Sequence, residues 1–210
     1  MPGQAHGDPS PCALVEPGYA VLKDLKGVAE FLLIPTTRIT GIDDPAVTQP
    51  QGGKWFEAAW RARRFLEARL GRAVPRGEVS LAVNSVDART QEQLHIHINC
   101  VRPDVRDALQ DHADEIGPDW APLRFPLAGQ LYSGIRIEGE GLAGTNPFVL
   151  LERRLGSIDA MKKHALVVVG SERGGRPGFV MLERGGQAVH GTELQDLSCS
   201  GPLGAGAPPR

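Results

Sequence analysis

This chain of 210 residues has few cysteines, only short apolar runs and almost no excess of charge of either sign. Its 23 basic residues against 25 acidic ones leave no positive excess, so the composition favours no nucleic acid partner. The longest apolar runs, such as residues 31–35 and 165–169, are far too short to span a bilayer. Residues 1–11 lack the basic start and apolar stretch of a signal peptide. These features predict a soluble chain with one good-sized core or two closely packed lobes.

The three cysteines, Cys12, Cys100 and Cys199, do not have the spacing of a metal site. In an oxidising compartment, a disulfide between two of them would tie a terminal segment to the core, and the sequence leaves the pair open. Cys100 lies on the opposite strand face from Asn99 by alternation, which argues against a catalytic thiol. A small buried apolar residue is therefore its default role.

Residues 90–100, TQEQLHIHINC, are the most informative stretch of the chain. Polar and apolar residues alternate through it, which predicts a half-buried strand. Side chains two apart project from the same face of a strand, so the polar ones form a single row. The members of that row are Gln93, His95, His97 and Asn99.

Two neighbouring imidazoles on one strand face can serve two chemistries. They can bind a metal, or one can attack a phosphorus atom while the other protonates the departing oxygen. The metal hypothesis is the weaker one, because the nearest downstream acid, Asp104, follows Pro103 beyond the strand end. An exposed polar face without chemistry is the third interpretation.

The residues before this strand predict an antiparallel hairpin. Residues 77–85 alternate in the same way and end in turn-forming residues, and residues 86–89 form the connection. Asn84 and Thr90 would then lie near the histidine row, where an amide and a hydroxyl can donate hydrogen bonds to a tetrahedral anion. Simple turn chemistry is the alternative for both residues.

The pattern Asn-Ser, followed by Thr-Gln-x-x-φ-His-φ-His-φ with φ apolar, resembles the histidine-triad superfamily of nucleotide hydrolases and transferases. Within that superfamily the chain is similar to the CDP-diacylglycerol pyrophosphatases. The resemblance is looser after about residue 116, and residues 146–150 are its last clear segment. The other segments that carry it are residues 10–13, 18–25, 31–39, 60–63, 80–85 and 100–105.

The resemblance implies roles for individual residues. His95 takes the position of the middle histidine, which is the nucleophile, and His97 takes the third position. Gln93 stands where the family signature has its first histidine. Arg38 stands where small histidine-triad hydrolases carry a histidine, and its guanidinium would suit a diphosphate; a surface charge at a strand end is the alternative. Asn84, Thr90, Gln93 and Arg38 are thus the candidate phosphate-binding residues.

The implied reaction is hydrolysis of CDP-diacylglycerol to CMP and phosphatidate through a nucleotidyl-histidine, with no metal and no cofactor. The resemblance further implies a monomer or weak dimer at a membrane surface, facing the periplasm, although the family's amino-terminal anchor is absent from this chain. One alternative is a histidine-triad hydrolase or transferase acting on a soluble nucleotide. The other is a non-catalytic nucleotide-binding module.

The expected fold class is α+β: a histidine-triad-like antiparallel sheet with flanking helices, and a second α+β half packed against the first. The domain prediction is an amino-terminal extension at 1–17, a catalytic domain at 18–197 and a disordered tail at 198–210. Strands are predicted at 19–23, 29–35, 165–170 and 178–184, and helices at 54–70, 104–116 and 148–164.

Overall fold

A single antiparallel sheet runs through residues 11–203, the part of the chain that this computed structural model describes. The strands follow the order β1-β2-β3-β5-β4-β8-β9-β7-β6, and β10 pairs with β5. Their bounds are Cys12–Glu16 (β1), Tyr19–Lys23 (β2), Phe31–Pro35 (β3), Val79–Val83 (β4), Ile96–Val101 (β5), Ala121–Pro122 (β6), Ser133–Glu138 (β7), His164–Arg173 (β8), Arg176–Gly185 (β9) and Gln195–Asp196 (β10). The helices are Pro50–Leu70 (α1), Pro103–Asp111 (α2), Pro147–Leu155 (α3) and Ser200–Leu203 (α4).

Helix α1 covers one face of the sheet. It begins at Pro50, four residues before the predicted start, because proline suits the first helical position, where no amide donor is needed. It ends at Gly71, whose φ of 69° is left-handed and suits glycine. Its buried side, which includes Phe56 and Trp60, packs in the main apolar core with the inward residues of the sheet. None of the helices within residues 11–203 has the length and apolarity needed to cross a membrane.

The predicted hairpin around the histidine row is confirmed, since β4 and β5 pair antiparallel. Ile96 and Ile98 are fully buried on the α1 face, whereas His97 lies on the other face between Leu32 and Ala82. The strand begins at Ile96, not at Thr90 as predicted. Residues 90–95 instead lie alongside the loop that follows β3. The Leu94 amide donates to the Ile39 carbonyl in this loop at 2.6 Å.

The second half of the chain extends the sheet instead of packing against it as a separate half. Strand β8 pairs with β4, so both halves share one run of hydrogen-bonded strands. The predicted hairpin of β8 and β9 is present, turning at Gly174 and Gly175. Helices α2 and α3 are shorter than predicted, and α3 ends at Gly156, whose φ is 87°. Strand β7 was not predicted; it pairs with β9 along its whole length.

Both predicted domain boundaries differ from the structure. Residues 12–16 form β1 and pair with β2, so they belong to the sheet and not to an extension. Cys199 forms a disulfide with Cys100, and α4 follows it, so residues 198–203 are not a disordered tail. Because Cys100 is disulfide-bonded, the prediction that it is simply a small buried apolar residue is wrong. The rest of both predictions, residues 1–10 and 204–210, lies outside the described residues.

Candidate active site

His95 and His97 lie side by side on the sheet face opposite α1. Their ring centroids are 4.9 Å apart and their planes meet at 70°. The alternation of buried Leu94, Ile96 and Ile98 fixes this placement, because each packs inward and turns its polar neighbours to the other face. The polar row predicted from the sequence is therefore present for both histidines.

His95 is held as a neutral imidazole whose Nε2 has no hydrogen-bond partner among the described residues. Its Nδ1 lies 2.8 Å from the Gln93 carbonyl oxygen, which can only accept, so Nδ1 carries the proton and donates. Burial lowers the pKa of His95 below its ordinary value of 6.5; the bond to Gln93 opposes this shift, and His97 adds to it. Near neutral pH, Nε2 therefore keeps its lone pair, as a nucleophile requires.

His97 is paired with a buried carboxylate, Glu30, which was not among the predicted site residues. Its Nδ1 lies 2.7 Å from Oε1 of Glu30, which is only 3% exposed. The Nε2 atom of His97 is buried and has no hydrogen-bond partner among the described residues. Glu30 lies between the apolar residues Ala29 and Phe31, directly before β3, and an acid within the apolar strand predicted at 29–35 was the available signal.

Asp24 lies beside this pair and gives the cluster a donor set that could hold a cation. Asp24, Glu30 and His97 each offer one ligand atom, and these atoms lie within 4.8 Å of one another. Two carboxylates and an imidazole suit a divalent cation such as Zn²⁺ or Mn²⁺. The reaction expected from the sequence requires no metal, so chelation is a direct test of the alternative.

A small hollow next to His95 is lined by Arg89, a second residue that was not among the predicted site residues. Asn84, Arg89 and Gln93 line it together with His95. Arg89 donates from Nη1 to Asp43 at 2.7 Å and from Nη2 to Glu92 at 3.2 Å, and its side chain is only 9% exposed. Its Nε is buried without a partner in the described part of the chain, so one N–H of the guanidinium is uncommitted.

The closing segment, residues 189–196, is attached to the strands that carry the histidine row. The amide of Thr192 donates to Asn84 Oδ1 at 3.4 Å, and the amide of Val189 donates to the hydroxyl of Ser85. Gln195 Nε2 donates to the His97 carbonyl at 3.3 Å. This segment comes from the far end of the chain, so no local sequence pattern indicated its position.

The structure brings four of the six candidate residues together. Asn84, Gln93 and His95 share the hollow, and His97 contacts His95. Gln93 Nε2 donates to the carbonyls of Pro35 and Thr37, at 2.9 and 3.0 Å, so this side chain holds the loop after β3 against the histidine row. Thr90 and Arg38 are exposed and do not line the hollow, so their phosphate-binding role stays a prediction.

The fold is similar to that of a solved structure of a DUF4931 family protein from Bacillus cereus. The TM-score is 0.57 at 11% sequence identity, and the match covers 95% of this chain and 93% of the other. At that identity the likeness concerns the fold alone. The family model described as CDP-diacylglycerol pyrophosphatase matches residues 1–201, nearly the whole chain. The chain therefore belongs to the CDP-diacylglycerol pyrophosphatase family, whose members are hydrolases.

Proposed function

We propose that this protein hydrolyses CDP-diacylglycerol through a covalent intermediate on His95. The observation that carries the proposal is the neutral His95 ring, whose Nδ1–H is fixed by the Gln93 carbonyl and whose Nε2 is unpaired within residues 11–203. In the first step, Nε2 attacks the phosphorus of the CMP moiety and the bond to the bridging oxygen breaks. Phosphatidate leaves with the electron pair of that bond. Water then attacks the same phosphorus and releases CMP and free His95.

His97 and Glu30 supply the proton handling in this scheme. In the first step His97 acts as the imidazolium and gives its Nε2 proton to the bridging oxygen; in the second, Nε2 takes a proton from the attacking water, which restores the imidazolium. Glu30 accepts from Nδ1 of His97 at 2.7 Å, which leaves Nε2 of His97 as the atom that exchanges the proton. Glu30 is therefore a positioning residue that acts through His97, and the buried pair orients the ring.

The phosphate oxygens need cationic and hydrogen-bonding partners beside His95. Arg89, which lines the hollow with His95, is the cationic candidate, because Asp43 orients its guanidinium while Nε has no partner among the described residues. Asn84 adds an amide on the same hollow. Such donors stabilise the charge that spreads over the phosphoryl oxygens in the transition state. Thr90 and Arg38, which are exposed outside the hollow, complete the set in our proposal.

We assign the sheet to the histidine-triad-like class, with support from the His-x-His strand in an antiparallel sheet. We also propose that the domain works at a membrane surface on the periplasmic side. The Cys100–Cys199 disulfide supports an oxidising compartment, since such bonds are rare where thiols are kept reduced. The sheet extends through the second half of the same chain, which supports a working monomer.

The test is product analysis by mass spectrometry with CDP-diacylglycerol in detergent, in the presence of EDTA and H₂¹⁸O. The wild type should form CMP and phosphatidate, with ¹⁸O in the CMP, because water attacks the nucleotidyl phosphorus. Replacing His95 with Ala should abolish turnover. Replacing His112 with Ala is the matched control, because His112 forms a similar pair with Glu115 outside the hollow.

Each other outcome contradicts a named part of the proposal. Loss of activity in EDTA that Mn²⁺ restores would assign a metal to the Asp24–Glu30–His97 cluster. ¹⁸O in phosphatidate would place the attack on the other phosphorus. Turnover of CDP-choline but not of the lipid would favour a soluble nucleotide as substrate. No product from any substrate would favour a non-catalytic binding module.

A further inference from the structure

Two of the exposed leucines border a single turn beside the candidate active site. Among the described residues, the large hydrophobic side chains that are exposed are Leu25, Leu131 and Leu197. Leu25 is fully exposed in the turn at residues 24–28 between β2 and β3, and Leu197 is 48% exposed. The amide of Val28 donates to the Leu197 carbonyl at 2.8 Å, so Leu197 lies against the turn that carries Leu25. We name this surface, Leu25 with Leu197, the leucine turn.

Hydrogen bonds from the Lys23 side chain and within the turn hold its backbone in place, so Leu25 is exposed on an ordered turn. Lys23 Nζ donates to the carbonyls of Asp24, Lys26 and Gly27, at 2.6, 3.3 and 2.9 Å. The amide of Lys26 donates to the Asp24 side chain at 2.9 Å. A Cβ at Gly27 would lie 3.1 Å from Leu197 Cδ2, so the second leucine packs closely on the turn. An ordered turn thus presents an apolar side chain to water.

Cationic side chains flank the two leucines. Lys26 is exposed next to Leu25, and Arg69 is exposed while its Nε donates to the Val28 carbonyl at 3.3 Å. Apolar side chains bordered by Lys and Arg are the composition of surfaces that rest in the headgroup region of anionic bilayers. The area that two leucines offer is far below that of a stable protein interface, whereas a bilayer accepts single side chains.

The turn leads directly into the candidate active site. Asp24 precedes Leu25 in the chain and lies with Glu30 and His97 in one cluster, and the Asp24 amide donates to the Glu30 carbonyl at 3.1 Å. A lipid held at the leucine turn would therefore have its headgroup near the histidine row. This proximity distinguishes Leu25 and Leu197 from an exposed leucine elsewhere, which needs no explanation.

We propose that the leucine turn is a lipid-binding surface: Leu25 and Leu197 enter the bilayer, Lys26 and Arg69 contact anionic headgroups, and the substrate diphosphate is brought to His95 and His97. This inference rests on the proposed function for its substrate, although membrane binding by the turn can be measured without turnover.

The experiment is flotation of the protein with vesicles of phosphatidylcholine and phosphatidylglycerol that contain no substrate. Replacing Leu25 with Ser should lower the partition coefficient about tenfold, and replacing both leucines should lower it about a hundredfold, as expected when apolar side chains no longer leave water. Replacing Leu131 with Ser is the matched control, because this exposed leucine precedes β7, far from β2 in the strand order. The control should bind like the wild type.

A second arm separates this inference from the proposed reaction. For the leucine variants, the ratio of turnover on vesicle-borne CDP-diacylglycerol to turnover on CDP-glycerol should fall in step with vesicle binding. Wild-type binding by the double variant, or equal losses in the Leu131 control, would overturn the inference while leaving the reaction untouched. Normal vesicle binding without hydrolysis of either substrate would instead overturn the proposed function and leave the leucine turn standing.

Discussion

The Cys100–Cys199 disulfide should be a major source of stability, and replacing Cys199 with Ser removes it. The bond joins residues separated by 99 positions, so it closes a long loop of the unfolded chain. For a loop of about 100 residues, the chain-entropy relation gives about 4.7 kcal/mol of stabilisation at 25 °C. This value is an upper bound, because a compact unfolded chain has less entropy to lose.

The corresponding change in melting temperature follows from the size of the protein. An unfolding entropy of about 2.1 cal/mol/K per residue gives about 0.44 kcal/mol/K for this chain, so the loss corresponds to about 11 °C. The measurement is urea and thermal unfolding followed by circular dichroism. Wild-type protein in reductant should match the Cys199→Ser variant, and that variant should not respond to reductant. Replacing the free thiol Cys12 with Ala is the control for loss of any cysteine.

A small effect would refute the reasoning. If oxidised wild type and the Cys199→Ser variant differ by less than about 1 kcal/mol, the unfolded chain is not constrained by this loop as the entropy relation requires. A reductant effect that persists in the variant would show that another part of the chain carries the redox sensitivity.

Three further predictions concern the site. Replacing Glu30 with Gln should lower kcat about a hundredfold with little change in KM, because His97 loses its carboxylate partner; steady-state kinetics measure this, and an unchanged kcat would contradict the positioning role. In the pH profile of kcat/KM, activity should rise as His95 becomes neutral, and its lowered pKa places this acid limb below pH 6.5; a limb above that value would contradict a buried nucleophile. Replacing Arg89 with Gln should lower kcat about a hundredfold, and it should move the acid limb to higher pH because the charge of Arg89 helps to lower the pKa of His95. Replacing the exposed Arg38 should lower kcat less. A larger loss for Arg38 than for Arg89 would assign the phosphate contact to Arg38.

Local sequence patterns predicted the hairpin that carries the histidine pair and helix α1 behind it. The alternation through residues 93–98 predicted which side chains face the core, and it did so even though the strand itself begins only at Ile96. The pattern survives because burial of Leu94 and Ile96 sets the side-chain direction, whether or not the backbone pairs with β4. Helix α1 and its end at Gly71 were predicted for the same kind of reason, since helical periodicity and a left-handed glycine are local features.

The sequence by itself determined the histidine pair, the face that presents it and, through ordered motifs, the family. Only the tertiary structure decided that Glu30 meets His97, that Arg89 lines the hollow beside His95, and that Cys199 pairs with Cys100. The same holds for the single sheet, which depends on the pairing of β4 with β8. Periodicity along a chain reports which way a side chain points, but not which distant residue it faces. Those partners are set by strand register and by the packing of segments that lie far apart in the sequence.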